Sequence, residues 1–182
     1  GILNLLYPYI YDSELIADLP VLCGVKYDAG VVYYVPGYIG PARETYANTV
    51  SILNAAGARR VVAETETYDM LKHNVSGEKQ DFEVVHILQW LQERMEAGRI
   101  KAVAPVKKVL TIHDNCMSRD FPDMMDTARN MLTSMGCEIV EMENSRDKGV
   151  CCGLGGGSRS FSPVDMIAQA AVRLKEAERT GA

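Results

Sequence analysis

The sequence predicts an α/β protein with mainly parallel sheets, and three observations carry that expectation. Short runs rich in β-branched residues alternate with helical patterns along most of the chain. The helical patterns carry proline near their starts and glycine just past their ends, the punctuation expected of real helices. A weak internal repeat orders the elements in the same way in both halves.

Taken in order, the first predicted strand is VVYYV (31–35), followed by the glycine turn PGYIGP. A helix is expected from Pro41 to Ala56, with proline in its first turn and Gly57 as its stop. RRVVAE (59–64) and FEVVH (82–86) read as the next strands, with TYDMLKH between them. ILQWLQERMEA (87–97) is a helix closed by Gly98. KKVLTIHD (107–114) is a strand that runs into Asn115 and Cys116. Met124, Met125, Ala128, Met131, Leu132 and Met135 recur at helical spacing and stop at Gly136, an apolar stripe facing a sheet. CEIVEME (137–143) is the last strand, and a helix from Pro163 to Glu178 ends before Gly181, its Ala168, Ala170 and Ala171 suited to close packing.

The repeat sets the domain expectation. In each half a strand leads to a glycine turn, a helix and a Gly-Ala pair: VVYYV, PGYIGP and Gly57-Ala58 in the first, CEIVEME, VCCGLGGG and Gly181-Ala182 in the second. Two pseudo-repeated, Rossmann-like lobes follow, 1–101 and 107–182, with AVAPV (102–106) as the seam. On this pattern the second lobe stops where the counterpart of RRVVAETETYDML would begin, and Gly1 in place of methionine suits an excised piece. The formal charge of -5, with no basic run, argues against nucleic acid as a partner. No apolar stretch has the length of a membrane span, and the N-terminus lacks the basic start of a secretory signal, so a cytoplasmic location is expected.

The chemistry lies in the cysteines. Five of them, an odd and unevenly spaced set, make a poor secreted disulfide framework and suit a reducing compartment. Cys116 follows one strand, and Cys151 and Cys152 lie on the loop after the next, with 34 residues between Cys116 and Cys151. Both positions are carboxyl ends of strands, where open α/β sheets bind ligands. Adjacent cysteines bridge each other only with strain, so the pair suits an external partner. Three soft sulfurs select iron-sulfur clusters, zinc or copper over hard cations. Gly153, Gly155, Gly156 and Gly157 would let the backbone approach such a ligand. Other readings stand beside this one: the cysteines as small core residues, GLGGG as a phosphate cradle, and His113 as a base for a Cys116 nucleophile or as a neighbour of ligands or substrate. Cys23 and Cys137 read as core. The pattern names no catalytic residue.

HDNCMSR followed after 34 residues by CCGLGGG, with IVEME shortly before the paired cysteines, resembles the cysteine-rich CCG domain. That domain occurs in the cysteine-rich subunit of heterodisulfide reductase and in iron-sulfur subunits of glycolate oxidase, lactate utilisation and anaerobic glycerol-3-phosphate dehydrogenase systems. The resemblance covers residues 44 to 182. It implies Cys116, Cys151 and Cys152 as cluster ligands, with a closing CxxC absent from the sequence. PGYIGP and Glu64-Thr-Glu-Thr67 stand where the first repeat would carry its cysteines, which makes that lobe a vestigial repeat. The implied protein is an iron-sulfur subunit, or a fragment of one, in a heterodisulfide-reductase-like or 2-hydroxyacid-oxidising complex. Its work is electron transfer or disulfide reduction, its cluster is incompletely held in this chain, and its partners are flavoprotein or ferredoxin-like subunits. The alternative is a degenerate module that binds zinc or no metal and serves in complex assembly.

Overall fold

Every strand among the described residues runs parallel to its partner. The computed structural model describes residues 29–101, 104–153 and 162–182, and these form an α/β arrangement of two parallel strand pairs among six α-helices. The helices are α1 (Val31–Tyr34), α2 (Ile39–Ala55), α3 (Thr65–His73), α4 (Ile87–Glu96), α5 (Pro122–Ser134) and α6 (Pro163–Glu178). The first sheet pairs β1 (Arg60–Ala63) with β2 (Glu83–His86), in register from Arg60↔Glu83 to Ala63↔His86. The second pairs β3 (Val109–Leu110) with β4 (Glu138–Ile139), Val109 opposite Glu138 and Leu110 opposite Ile139. Each pair is joined through a helix, α3 in the first and α5 in the second, because parallel strands need a crossover. No helix among the described residues is long and apolar enough to cross a membrane.

One predicted strand is overturned. VVYYV is helical over Val31–Tyr34, and the reason is local. The N–H groups of Tyr33 and Tyr34 donate to the Gly30 carbonyl, and the N–H of Val35 donates to Val31. Val32 to Val35 stay exposed, with no sheet neighbour among the described residues to reward their β propensity. The expected counterpart of CEIVEME in the first half is therefore a helical turn. β3 and β4 also fall short of the eight- and seven-residue runs KKVLTIHD and CEIVEME. Their ladder is extended only by the N–H of Glu138 on Lys108 and the N–H of Val140 on Leu110. The helices at 87–97, 124–135 and 163–178 lie where expected, to within two residues at their ends.

The main core belongs to the first sheet. Tyr46, Val50 and Leu53 of α2, Ala63 and Val84 of the strands, and Tyr68, Met70 and Leu71 of α3 bury together. Met124 of α5 joins this cluster, with Phe121 packed against it. Phe121 sits edge-on to Tyr68 at a centroid distance of 5.0 Å and lies 5.6 Å from His73. The element that carries Cys116 is thus anchored to the core of the first half. Residues 102 and 103 of the expected seam, and Cys23, lie outside the described residues.

Candidate metal centre

Asn115 starts the site. Its side chain accepts from the Met117 N–H at 2.9 Å and caps a 3-10 turn, Cys116–Asp120. Cys116 is the first residue of that turn and is exposed. Asp120 at its other end meets His73 Nε2 at 3.5 Å, and His73 Nδ1 meets Asp69 at 3.2 Å, which fastens the turn to α3. Those three side chains bring their ligand atoms within 4.8 Å of one another, and the contacts of His73 with the two carboxylates account for the grouping.

The second cysteine loop descends from β4 through a 3-10 turn, Arg146–Lys148. Cys151 is exposed and Cys152 half-buried. The Gly153 N–H donates to Cys151 Sγ at 3.3 Å, and Gln169 Nε2 of α6 donates to the Cys151 carbonyl at 2.9 Å. Gly153 is required here. Its φ is +73°, and a Cβ would stand 2.9 Å from Gln169 Cβ and from the Met166 carbonyl oxygen. Gly155, Gly156 and Gly157 lie outside the described residues.

The two loops are tied to each other: the Arg146 N–H donates to the Asp114 carboxylate at 2.7 Å, and Arg119 Nη2 donates to the Gly149 carbonyl at 3.0 Å. Partial burial raises the Cys116 thiol above its ordinary range, and the Cys151 and Cys152 thiols raise it further. The three sulfurs do not all fall within 4.8 Å of one another. Cys137 is buried, as expected of a core residue.

Beneath the loops lies a buried ion network that sequence reasoning does not anticipate. The Arg129 side chain is 7% exposed and that of Asp114 3%. Arg129 directs all five N–H donors at acceptors. Nη1 and Nη2 fork onto the Asp114 carboxylate at 2.8 and 2.9 Å, Nε and Nη2 onto Glu141, and Nη1 also reaches the Met125 carbonyl. Burial pushes the Asp114 carboxyl up, but the Arg129 hydrogen bonds and the Arg146 N–H outweigh it and hold the group below its ordinary range. Glu141 is held low by Arg129. A signal is present in the sequence, since Asp114 sits within the HDNC motif and Arg129 interrupts the methionine face of α5 four residues after Met125.

His113 is held by α6. Arg173 Nε donates to His113 Nδ1 at 3.0 Å, and Nη1 reaches the Asn144 carbonyl and Glu176. A donating guanidinium leaves Nδ1 unprotonated and the neutral ring's hydrogen on Nε2. Partial burial of the ring, and then the Arg173 charge, lower the His113 pKa. With one nitrogen occupied and the other protonated, the ring is poorly disposed to act as a base for Cys116.

Soft sulfur donors on two loops that follow a parallel strand pair are the kind of donor set that thiolate metal centres use, carried here on an α/β fold. Residues 110–182 match the family described as CCG, cysteine-rich domain, and this part of the chain belongs to that family. The chain is similar to a subunit of the dihydromethanophenazine:CoB–CoM heterodisulfide reductase of Methanosarcina barkeri, 32% identical over 146 residues, which are 78% of this chain and 36% of that one. It is also similar to FadF of Bacillus subtilis, described as a probable iron-sulfur-binding oxidoreductase, 32% identical over 98 residues, 53% of this chain and 14% of the relative. A third relative is the EtfAB:quinone oxidoreductase of Syntrophomonas wolfei, 29% identical over 110 residues, 60% of this chain and 15% of the relative. The chain thus spans about a third of the heterodisulfide reductase relative and less of the others. No solved structure matches it.

Proposed function

We propose that this chain is part of an iron-sulfur redox protein in which Cys116, Cys151 and Cys152 are cluster ligands. The observation that carries the reading is that the loops bearing the three thiols are hydrogen-bonded to each other at one edge, with Cys151 accepting a backbone N–H. The donor chemistry fits, because thiolate sulfur is the ligand that iron-sulfur clusters take. Three thiolates are one short of a closed four-ligand site, so the reading requires a further ligand from outside the described residues.

When bound, such a cluster exchanges single electrons at a potential set by charge, exposure and hydrogen bonds to its sulfurs. The chain's own residues supply the Gly153 N–H to Cys151 and tie both loops to the Arg129 network. Electron transfer or disulfide reduction within a heterodisulfide-reductase-like or 2-hydroxyacid-oxidising complex follows, with flavoprotein or ferredoxin-like subunits as partners in a cytoplasmic setting. His113 serves beside the ligands or toward substrate, and Gly153, Gly155, Gly156 and Gly157 give the loop its close approach. The first lobe acts as scaffold, a vestigial repeat.

The test is anaerobic preparation of the full-length protein with iron, sulfide and zinc analysis and absorption spectroscopy. The expected result is iron with matching sulfide and broad charge-transfer absorption, lost in Cys116→Ser, Cys151→Ser and Cys152→Ser. Stoichiometric zinc without iron, or no metal at all, would replace this reading with the assembly module.

A further inference from the structure

We propose that Asp114 and Arg119 are positioning residues which clamp the loop before Cys151 against the turn that begins at Cys116, and so set the distance between the Cys116 and Cys151 thiols. The inference rests on the reading of these thiols as ligands.

Two ties, made by different chemistry, cross between the loops. Asp114, two residues before Cys116, accepts the Arg146 backbone N–H at 2.7 Å on Oδ2, while the same carboxylate is gripped by Arg129. Arg119, three residues after Cys116, donates Nη2 to the Gly149 carbonyl at 3.0 Å, two residues before Cys151. Each tie therefore starts within three residues of one thiol, and both land on the five residues before the other.

The receiving segment is held in a conformation it would not adopt freely. Arg146 has a φ of +58°, in the left-handed region that non-glycine residues rarely occupy. Such a residue costs on the order of 1–3 kcal/mol and persists only where its surroundings over-determine it. Here they do: Asp114 takes its N–H, and Asp126 of α5 pairs with its guanidinium. Gly149, immediately before Val150, is buried, and a Cβ there would lie 3.0 Å from the Arg146 carbonyl oxygen. A backbone bent and pinned next to a ligand pair is arranged for placement. Fold stability alone would be served by Arg129, which satisfies Asp114 and Glu141 without Arg146.

The experiment reads thiol spacing without any metal. Metal-free full-length protein is treated with a small amount of diamide. Diamide takes two electrons and two protons from a thiol pair, leaving a disulfide and the hydrazine form of the reagent. The Cys116–Cys151 disulfide is then quantified by peptide mass spectrometry over time in the parent, Asp114→Asn, Arg119→Met and Arg119→Lys. Expected is a disulfide forming at least about threefold more slowly in Asp114→Asn and Arg119→Met, with Arg119→Lys close to the parent because lysine keeps a donor for the Gly149 carbonyl. Arg119 is exposed, so its variants keep the fold even if Asp114→Asn does not, and circular dichroism checks each. Parental rates in folded Arg119→Met overturn the proposal, as does slowing in Arg119→Lys equal to that in Arg119→Met. Iron content after anaerobic reconstitution separates the two readings. A parent that takes up no iron defeats the cluster reading while the disulfide rates still decide the clamp, and a parent and clamp variants that load iron equally defeat the clamp alone.

Discussion

Replacing Arg129 by methionine tests whether the buried network holds the second half together. Methionine keeps the unbranched stem and removes the charge, leaving Asp114, whose side chain is 3% exposed, facing an apolar group with only the Arg146 N–H as partner. Removing one member of a buried pair costs about 3–5 kcal/mol, since the other charge remains desolvated. Glu141 contributes little to that sum. Its side chain is 36% exposed and can rehydrate. With a urea slope of about 2 kcal/mol/M, the midpoint should fall by roughly 2 M at pH 7. The pH dependence gives a second reading. Asp114 and Glu141 have folded pKa values below their ordinary ones, so their stabilisation is full above the unfolded values of about 3.9 and 4.3 and is lost as pH falls through the folded ones. In the variant, burial without a cation raises Asp114 instead, a penalty that protonation relieves. Parent and variant should therefore converge below about pH 4. Urea titrations at pH 7 and at low pH measure both, and a midpoint shift under about 0.5 M at pH 7, or one as large in acid, would refute the reasoning.

Three further outcomes are expected. Gly153→Ala should lower the thermal midpoint by several degrees, a cost of roughly 1–3 kcal/mol, because of its positive φ and the 2.9 Å approach to Met166 and Gln169; Gly181→Ala, also at φ +73° but with nothing within 4 Å, should cost less. His86 is buried and its pKa is pushed down to about 4, so the unfolded chain binds its proton first, and stability should fall between about pH 6.5 and pH 4. His86→Asn keeps an acceptor for the Leu88 N–H and should flatten that segment of a denaturation-against-pH curve; an unchanged slope would contradict the assignment. Tyr68 and Phe121 meet edge to face, and Phe121→Ala should cost about 3 kcal/mol or more, seen as protease sensitivity near Cys116 before the rest of the chain yields.

How much of the molecule is legible in its sequence depends on how local the cause is. Helices announce themselves, since Pro163 and Gly181 or Pro122 and Gly136 act through a few neighbouring bonds. That the loops carrying Cys116 and Cys151 meet is legible because strand ends share an edge. VVYYV misleads because its β propensity is a preference for a pleated neighbour, and the neighbour is missing among the described residues. The Arg129 network is barely legible for the opposite reason. An arginine on a methionine face signals burial, but only the fold puts Asp114, Glu141 and Met125 around it.

The two halves use the same kind of edge to different ends. At the carboxyl end of β1, the Glu64 carboxylate accepts from the Glu66 N–H, the Thr67 N–H and the Thr67 hydroxyl, which caps α3. Thr65 pairs with His86 at the end of β2 at 3.0 Å, and His86 caps α4. Each of these groups spends its hydrogen-bonding capacity inside the half, and the Glu64 carboxylate caps its own helix. At the end of β3, by contrast, Asp114 and Asn115 spend theirs on fixing backbone, and Cys116 is left exposed. An edge that satisfies itself stabilises, whereas one that fixes its loops while leaving thiols free can take a ligand. This difference in where polar capacity goes, beyond the cysteine count alone, supports the proposal that the first half is scaffold and the second holds the ligand.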